Sequence, residues 1–232
     1  MRILGLIPAR GGSKGIPRKN IKLLHDKELI RYSIEAGLSC EMIDQLVVTT
    51  EDTEIAKIAK AAGAEVPFLR PRELADDHSP TIGTVIHALD FFEQHGNVFD
   101  AIVLLQPTVP FRNATDLTEA IEKFISADAD SLISVREVPH IYNPHWVYQK
   151  DEKTGWLKMA MGEKTIIARR QDLPKAYHRD GSIYITKKEV VLNQKSLYGE
   201  KIIHHIMTNS PNINIDTMED WEAAEDFLKN KN

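Results

Sequence analysis

Cysteine is almost absent from this chain of 232 residues. Cys40 stands alone, which excludes an internal disulfide and any metal cluster built on thiolates, and suits a reducing cytoplasm. A single small thiol near the end of a helical pattern reads as a buried hydrophobe. No apolar run approaches the roughly 20 residues that span a bilayer. The opening residues reach Pro8 and Arg10 after only a short apolar stretch, so no secretion signal is expected. A surplus of one charge is missing as well. Lys and Arg number 29 against 34 Asp and Glu, a net charge of −5, so neither nucleic acid nor an anionic membrane is implied as a partner. The nine histidines show no metal-binding spacing. Repeats and low-complexity tracts are absent too, and 42% hydrophobic content over this length supports one domain with a core of its own. Any cations that matter must act locally.

They are concentrated at the start. Ile3, Leu4, Leu6 and Ile7 form an apolar run closed by Pro8, the mark of a buried strand. The strand empties into RGGSKGIPRKN, where Gly11, Gly12 and Gly15 alternate with Arg10, Lys14, Arg18 and Lys19. Glycines lacking Cβ let backbone N–H groups approach a phosphate, and flanking cations neutralise it. Lys14 is followed by Gly15 rather than Ser or Thr, so this is not the phosphate loop of ATPases, nor is it a GxGxxG dinucleotide fingerprint. Taken alone, the loop is equally readable as a turn with solvated charges.

Beyond it, strands and helices alternate. Helical spacing covers residues 28–40, 53–62, 81–94 and the stretch that opens at Asn113. Short β-rich runs lie at 46–50, 64–69, 101–105 and 131–135. This order predicts an α/β fold, a mostly parallel sheet with helices on both faces and a ligand crevice beyond the carboxyl ends of the strands. Periodicity breaks over about residues 138–176, which are rich in Pro, His, Tyr and Trp and read as a small antiparallel arm rather than a second domain. Strand character returns at 177–185, 201–207 and 212–215. Thr217-x-x-Asp220 then caps a final helix.

Five stretches together resemble one family. IPARGGSKGIPRKN, RPRELADD followed by Thr81, LLQPTVPFR, RRQDLPKAYHRDGSIYI and NINIDTMEDWEAAE are similar, in order and spacing, to the signatures of the CMP-sialic acid synthetases (N-acylneuraminate cytidylyltransferases). That family includes the enzymes for legionaminic and pseudaminic acid. The resemblance covers nearly the whole chain. It implies a three-layer nucleotidyltransferase-like fold with a dimerisation arm. It also implies a cytoplasmic homodimer that joins CTP to a nonulosonic acid sugar with Mg²⁺, releasing pyrophosphate.

Nucleotidyl transfer is positioning and charge neutralisation, so its site needs cations, backbone donors and a carboxylate for a divalent metal. By the resemblance, Arg10, Gly11, Gly12, Ser13, Lys14 and Lys19 would hold the triphosphate and Asn20 would orient it or the base. Arg10 and Lys19 would stabilise the transition state. Arg70 and Thr81 would contact cytidine, although Arg70 could instead pair with Glu73 and Thr81 could be a helix cap. Gln106 would meet the sugar acid from a loop stiffened by Pro107 and Pro110. Arg170 and Gln171 would face its carboxylate and acyl groups, in the same subunit or across a dimer. Tyr184 would be a pocket wall. Asp216 would hold Mg²⁺, which usually takes only one or two protein carboxylates. The family commonly carries Asp-Ile-Asp at this point, whereas this chain has Asn214-Ile215-Asp216. A neutral amide at 214 weakens the case for a second metal.

The resemblance leaves the sugar open among neuraminate, legionaminate and pseudaminate. The charge in YHRDGSIY tilts the expectation toward a bacterial legionaminate type. Two other readings fit parts of the chain: a synthetase for an eight-carbon keto acid sugar, whose usual opening lacks GGSKGIPRKN, and a nucleotide binder without catalysis. A glycosyltransferase would need a mid-chain DxD motif, and Asp128-Ala129-Asp130 falls between a helix and a strand at the wrong sheet edge.

Overall fold

The computed structural model describes residues 1–208 and 210–231. The chain divides into two compact units, one made of residues 1–134 and 180–232 and the other of Val135–Arg179.

The first unit is built on β1 (Ile3–Pro8), a strand buried on both faces. Its side chains alternate, so Ile3 and Ile7 enter one apolar cluster while Leu4 and Leu6 enter another. A tight pair, β2 (Leu23–Leu24) and β3 (Lys27–Glu28), follows the glycine loop. Then come α1 (Leu29–Leu38), β4 (Gln45–Thr49) and α2 (Thr53–Ala61). The chain continues through α3 (Thr81–Gln94), β5 (Ala101–Leu104) and α4 (Ala114–Ser126) to β6 (Ser131–Glu137). Within the second unit lie β7 (Tyr148–Lys150) and β8 (Leu157–Met159). After them come β9 (Tyr177–Lys187), α5 (Lys188–Gln194), β10 (Ile202–Ile206) and α6 (Met218–Lys231).

Six strands form the central sheet in the order β10-β6-β9-β5-β1-β4. β1 pairs in parallel with β4 and β5, whereas β9 runs antiparallel to β5, Val103 opposite Ile185. The sheet is therefore mixed. Residues of α1, α2 and α4 (Ile34, Ile55, Leu117, Phe124) pack on one face. Val85, Leu89 and Phe92 of α3 and Val191 of α5 pack on the other. A third apolar cluster positions the site. Ile16 from the glycine loop, Ile215 and Trp221 of α6 are all buried together with Leu24 and Leu29.

Two expected strands are absent. Residues 64–69 contribute only a bridge between Glu65 and Val47, because Pro67, which has no N–H, cannot continue the ladder. Residues 212–215 make no strand either. Their alternation reflects Ile213 and Ile215 packing into the third cluster, and one backbone bond, Ile215 N–H to the Thr108 carbonyl at 2.8 Å, holds them to the sheet edge. Conversely, α5 and the β2–β3 pair had no counterpart in the sequence reading, since both are too short to show a period. The capping sites behave as their residue types dictate: Asn113 and Asp116 form a reciprocal capping box on α4, and Thr217 and Asp220 exchange bonds at the start of α6.

The second unit, Val135–Arg179, contains the β7–β8 hairpin, in which Tyr148 pairs with Met159. Asp151 closes its turn by accepting the Lys153 and Thr154 N–H groups, each at 3.0 Å. Ile141, Tyr142, Trp156, Leu157 and Met161 are exposed in this unit, Trp156 to 77%. Among the described residues no helix is long and apolar enough to cross a membrane.

Candidate active site

The carboxyl ends of β1 and β5 open on one cavity of about 300 Å³ in the first unit. Arg10, Gly12, Ser13, Lys19, Asn20, Arg70, Thr81, Gln106 and Asp216 all line it.

The glycine loop is pinned at both ends. Asn20 donates from Nδ2 to the Arg10 carbonyl at 2.9 Å, and Gly11 N–H donates to Glu51 Oε1 at 2.6 Å. Two of its glycines lie at close approach, Gly11 to a side chain and Gly15 to backbone that cannot give way. A Cβ on Gly11 would sit 2.5 Å from Asp52 Oδ2, and one on Gly15 would sit 2.3 Å from the Asp216 carbonyl. Gly15 thus lets the loop lie directly against the segment that carries Asp216. Gly12 meets nothing within 4 Å, leaving its backbone open to the cavity.

The cations are placed by carboxylates. Arg10 and Lys14 share Asp77, at 2.6 and 2.7 Å. Lys14, first, and then Arg10 hold the Asp77 carboxyl below its ordinary range. Lys19 Nζ lies 3.0 Å from Asp216 Oδ1 and its side chain is 11% exposed. Arg18 points elsewhere: it pairs with Asp52 and, at 2.7 Å, with Glu54 at the start of α2. Arg70 is buried, donating to Glu51 Oε2 at 3.0 Å and to Thr84 Oγ1 at 3.3 Å rather than pairing with Glu73. Burial pushes its basicity down while the bond to Glu51 opposes that shift. Its buried Nε has no hydrogen-bond partner among the described residues.

Thr81 is the first residue of α3 rather than its cap, since Pro80 takes the cap position, and it lines the cavity. Gln106 lies in the turn after β5. Gly11 and Lys14 are not among the lining residues, and the Lys14 side chain is largely exposed. Arg170 and Gln171 belong to the second unit, on an exposed 3-10 turn, and are not among the lining residues. Tyr184 is a correction. It was expected as a pocket wall, but its position on β9 turns it into the second apolar cluster, with Tyr198 edge-on at 6.4 Å between ring centroids.

Sequence pattern does not single out Asp77, which lines the cavity, or Glu51 and Arg112, which bond to residues that do or to their neighbours. Asp77 and Arg112 stand inside motifs quoted above, but their partners are remote in sequence and only folding pairs them. Asp128 and Asp130 serve structure. Lys187 binds the first at 2.7 Å, and the second accepts the Glu200 and Lys201 N–H groups.

Asp216 is the residue that could hold a divalent cation at this cavity. Among the described residues no group of three or more His, Cys, Asp or Glu gathers to cage a metal. One carboxylate beside space for phosphate oxygens is nevertheless a donor set that suits Mg²⁺. Asp216 lines the cavity and its side chain is 62% exposed. Its Oδ2 accepts the Asn214 amide at 2.8 Å, so position 214 orients the carboxylate and adds no charge.

Comparison with known proteins decides the family. A family profile described as Cytidylyltransferase matches residues 4–232. This chain is a cytidylyltransferase. It is 36% identical over 230 residues to a CMP-N,N'-diacetyllegionaminic acid synthase of Legionella pneumophila, covering 99% of this chain and 97% of that protein. A pseudaminic acid cytidylyltransferase of Campylobacter jejuni is 32% identical over 229 residues, with the same coverage of 99% and 97%. Among solved structures, a CMP:2-keto-3-deoxy-manno-octonic acid synthetase complexed with CTP superposes with a TM-score of 0.76 over the full length of both chains. At 14% identity that likeness concerns the fold alone, and it is the nucleotidyltransferase-like fold.

Proposed function

We propose that this cytidylyltransferase joins CMP from CTP to a nine-carbon α-keto acid sugar, a nonulosonic acid of the legionaminate type, with release of pyrophosphate. The observation that carries the reading is a single cavity lined by the open Gly12 backbone, Arg10, Lys19, buried Arg70 and the carboxylate of Asp216. Cations and backbone donors suit a triphosphate. Arg70 and Thr81, on the wall formed by the connection from α2 to α3 and the start of α3, suit a pyrimidine nucleoside, whose small polar edge is read by a few fixed hydrogen bonds.

In the reaction the sugar's anomeric hydroxyl attacks the α-phosphorus. The new O–P bond forms as the bond to the β-phosphate oxygen breaks, pyrophosphate departs, and the hydroxyl's proton passes to solvent water. Arg10 and Lys19 neutralise the charge that builds on the phosphates. Each such contact is worth a factor of about 10²–10³ in rate. Mg²⁺ on Asp216, when bound, would screen the phosphates and acidify the attacking hydroxyl. Gln106 is assigned to the sugar acid, and Arg170 and Gln171, in the same subunit or across a dimer, to its carboxylate and acyl groups.

The reading includes a cytoplasmic homodimer. The exposed apolar side chains of the second unit support the dimer, since such patches mark interaction surfaces.

Pyrophosphate release from CTP, measured with legionaminate, pseudaminate and neuraminate in turn, tests the proposal. Turnover strongest with the legionaminate acid is expected. Turnover of neuraminate alone would overturn the choice of sugar. Stabilisation by CTP with no pyrophosphate from any of the three would leave a nucleotide-binding protein without catalysis.

A further inference from the structure

Arg112 follows β5, one residue before the cap of α4, and is 4% exposed. Its guanidinium is spent on three separate segments. Nε donates to the Ser182 carbonyl on β9 at 2.8 Å, one terminal nitrogen donates to Ser33 Oγ on α1 at 2.6 Å, and the other donates to the carbonyl of Gln106. The compensating charge is Asp180, itself buried and satisfied by Ser134 Oγ, Ser182 N–H and Ser182 Oγ. Burial pushes Arg112 down to about 9, with Asp180 opposing.

A buried guanidinium is expensive, and a well-packed apolar side chain of similar volume would often stabilise a core at least as well. What apolar volume cannot do is grip a carbonyl through a planar fork fixed on two other elements. The gripped carbonyl belongs to Gln106, one of the residues that line the cavity. The same turn is held on its other side, where the Thr108 carbonyl accepts the Ile215 N–H at 2.8 Å, next to Asp216. Within the turn, Val109 N–H returns to the Gln106 carbonyl at 3.3 Å, and Pro107 and Pro110 restrict the remaining freedom.

We propose that Arg112 is a positioning residue for the sugar acid: by holding the Gln106 carbonyl it aims the Gln106 side chain into the cavity while touching neither substrate. The inference rests on the reading of the cavity given above. It assigns to Arg112 a share of sugar recognition and none of nucleotide recognition, because the loop that meets the triphosphate is pinned by Glu51 and Asn20 instead.

The test is steady-state kinetics on the full chain with Arg112→Lys, which keeps a cation but cannot span three acceptors. The sugar's KM should rise at least about tenfold. The KM for CTP, and the rise in Tm that CTP alone produces, should stay within about twofold of wild type. Ser33→Ala, which frees one edge of the fork and spares the rest, should raise the sugar's KM about threefold, and it serves if the lysine variant does not fold. An equal rise in both KM values, or an unchanged sugar KM, would make Arg112 a core strut and overturn the inference. A wild type that releases no pyrophosphate with any keto acid sugar would instead defeat the functional reading, and the Arg112 role with it.

Discussion

Lys19 Nζ donates to the Ile215 carbonyl at 2.7 Å and lies 3.0 Å from the Asp216 carboxylate, although nearly two hundred residues separate the partners. The contact joins the glycine loop to the segment before α6, and it sets the cation assigned to the triphosphate beside the metal candidate. Lys19→Ala should therefore cut kcat by about 10²–10³. Because it also removes a bond to a backbone carbonyl, it should lower Tm modestly, by about 1 kcal/mol of stability. Stopped-time assays of pyrophosphate alongside calorimetry separate the two effects, and full activity in a folded variant would remove Lys19 from the site.

Asp216→Asn keeps the shape of the side chain and its bond to Asn214 while deleting the charge. The Mg²⁺ concentration for half-maximal activity should rise by about tenfold or more, in the range that loss of one ligand charge brings. Titration of activity against Mg²⁺ reads this directly. A superimposable titration would place the metal elsewhere.

Much of the architecture was legible beforehand, and the reasons are physical. β1 and β5 are buried on both faces, so they appear as unbroken apolar runs, and the amphipathic α2 and α4 show their period plainly. The family motifs likewise mark the loop, Arg70, Gln106 and Asp216, which line one cavity. Local pattern misleads at 212–215, where Ile213 and Ile215 alternate for packing rather than pairing. It is silent at Glu51, whose two bonds reach Gly11 and Arg70, 40 and 19 residues away. Tyr184 marks the same limit: both faces of β9 are buried, Ile183 and Ile185 in one cluster and Tyr184 in the other, so alternation alone puts no side chain at the cavity.

Asp52 caps α2, accepting the Glu54 and Ile55 N–H groups, and pairs with Arg18. The bond from Arg18, followed by these N–H groups, holds its carboxyl below the ordinary 3.8. A depressed folded pKa means stability that is present above the ordinary value and lost as pH falls through the lower one. Asp52→Ala should cost about 1 kcal/mol at neutral pH. The difference in Tm between wild type and Asp52→Asn should shrink as the pH is lowered below 3.8, and a constant difference down to pH 2 would refute the assignment.

Trp156 and Leu157 are 77% and 69% exposed in the second unit. If they are buried by a second copy, Trp156→Glu should shift the protein from dimer to monomer in light scattering without lowering the Tm of the first unit's core. A wild type that is monomeric at all concentrations tested would dispose of the dimer.

Asp77 stands against Arg10 and Lys14 at 2.6 and 2.7 Å, where it neutralises two cations assigned to the triphosphate. Exposed ion pairs of this kind are weak and screened by salt, so the carboxylate is a displaceable competitor rather than a barrier. Asp77→Asn removes the competing charge and leaves a side chain of the same size. CTP should then bind about threefold more tightly at low ionic strength, and the advantage should fade in high salt. Calorimetric titration of CTP without sugar, at two salt concentrations, measures both. Weaker binding by the asparagine variant would mean that Asp77 aims the two cations instead of competing for them, and the same titration distinguishes the two roles by sign alone.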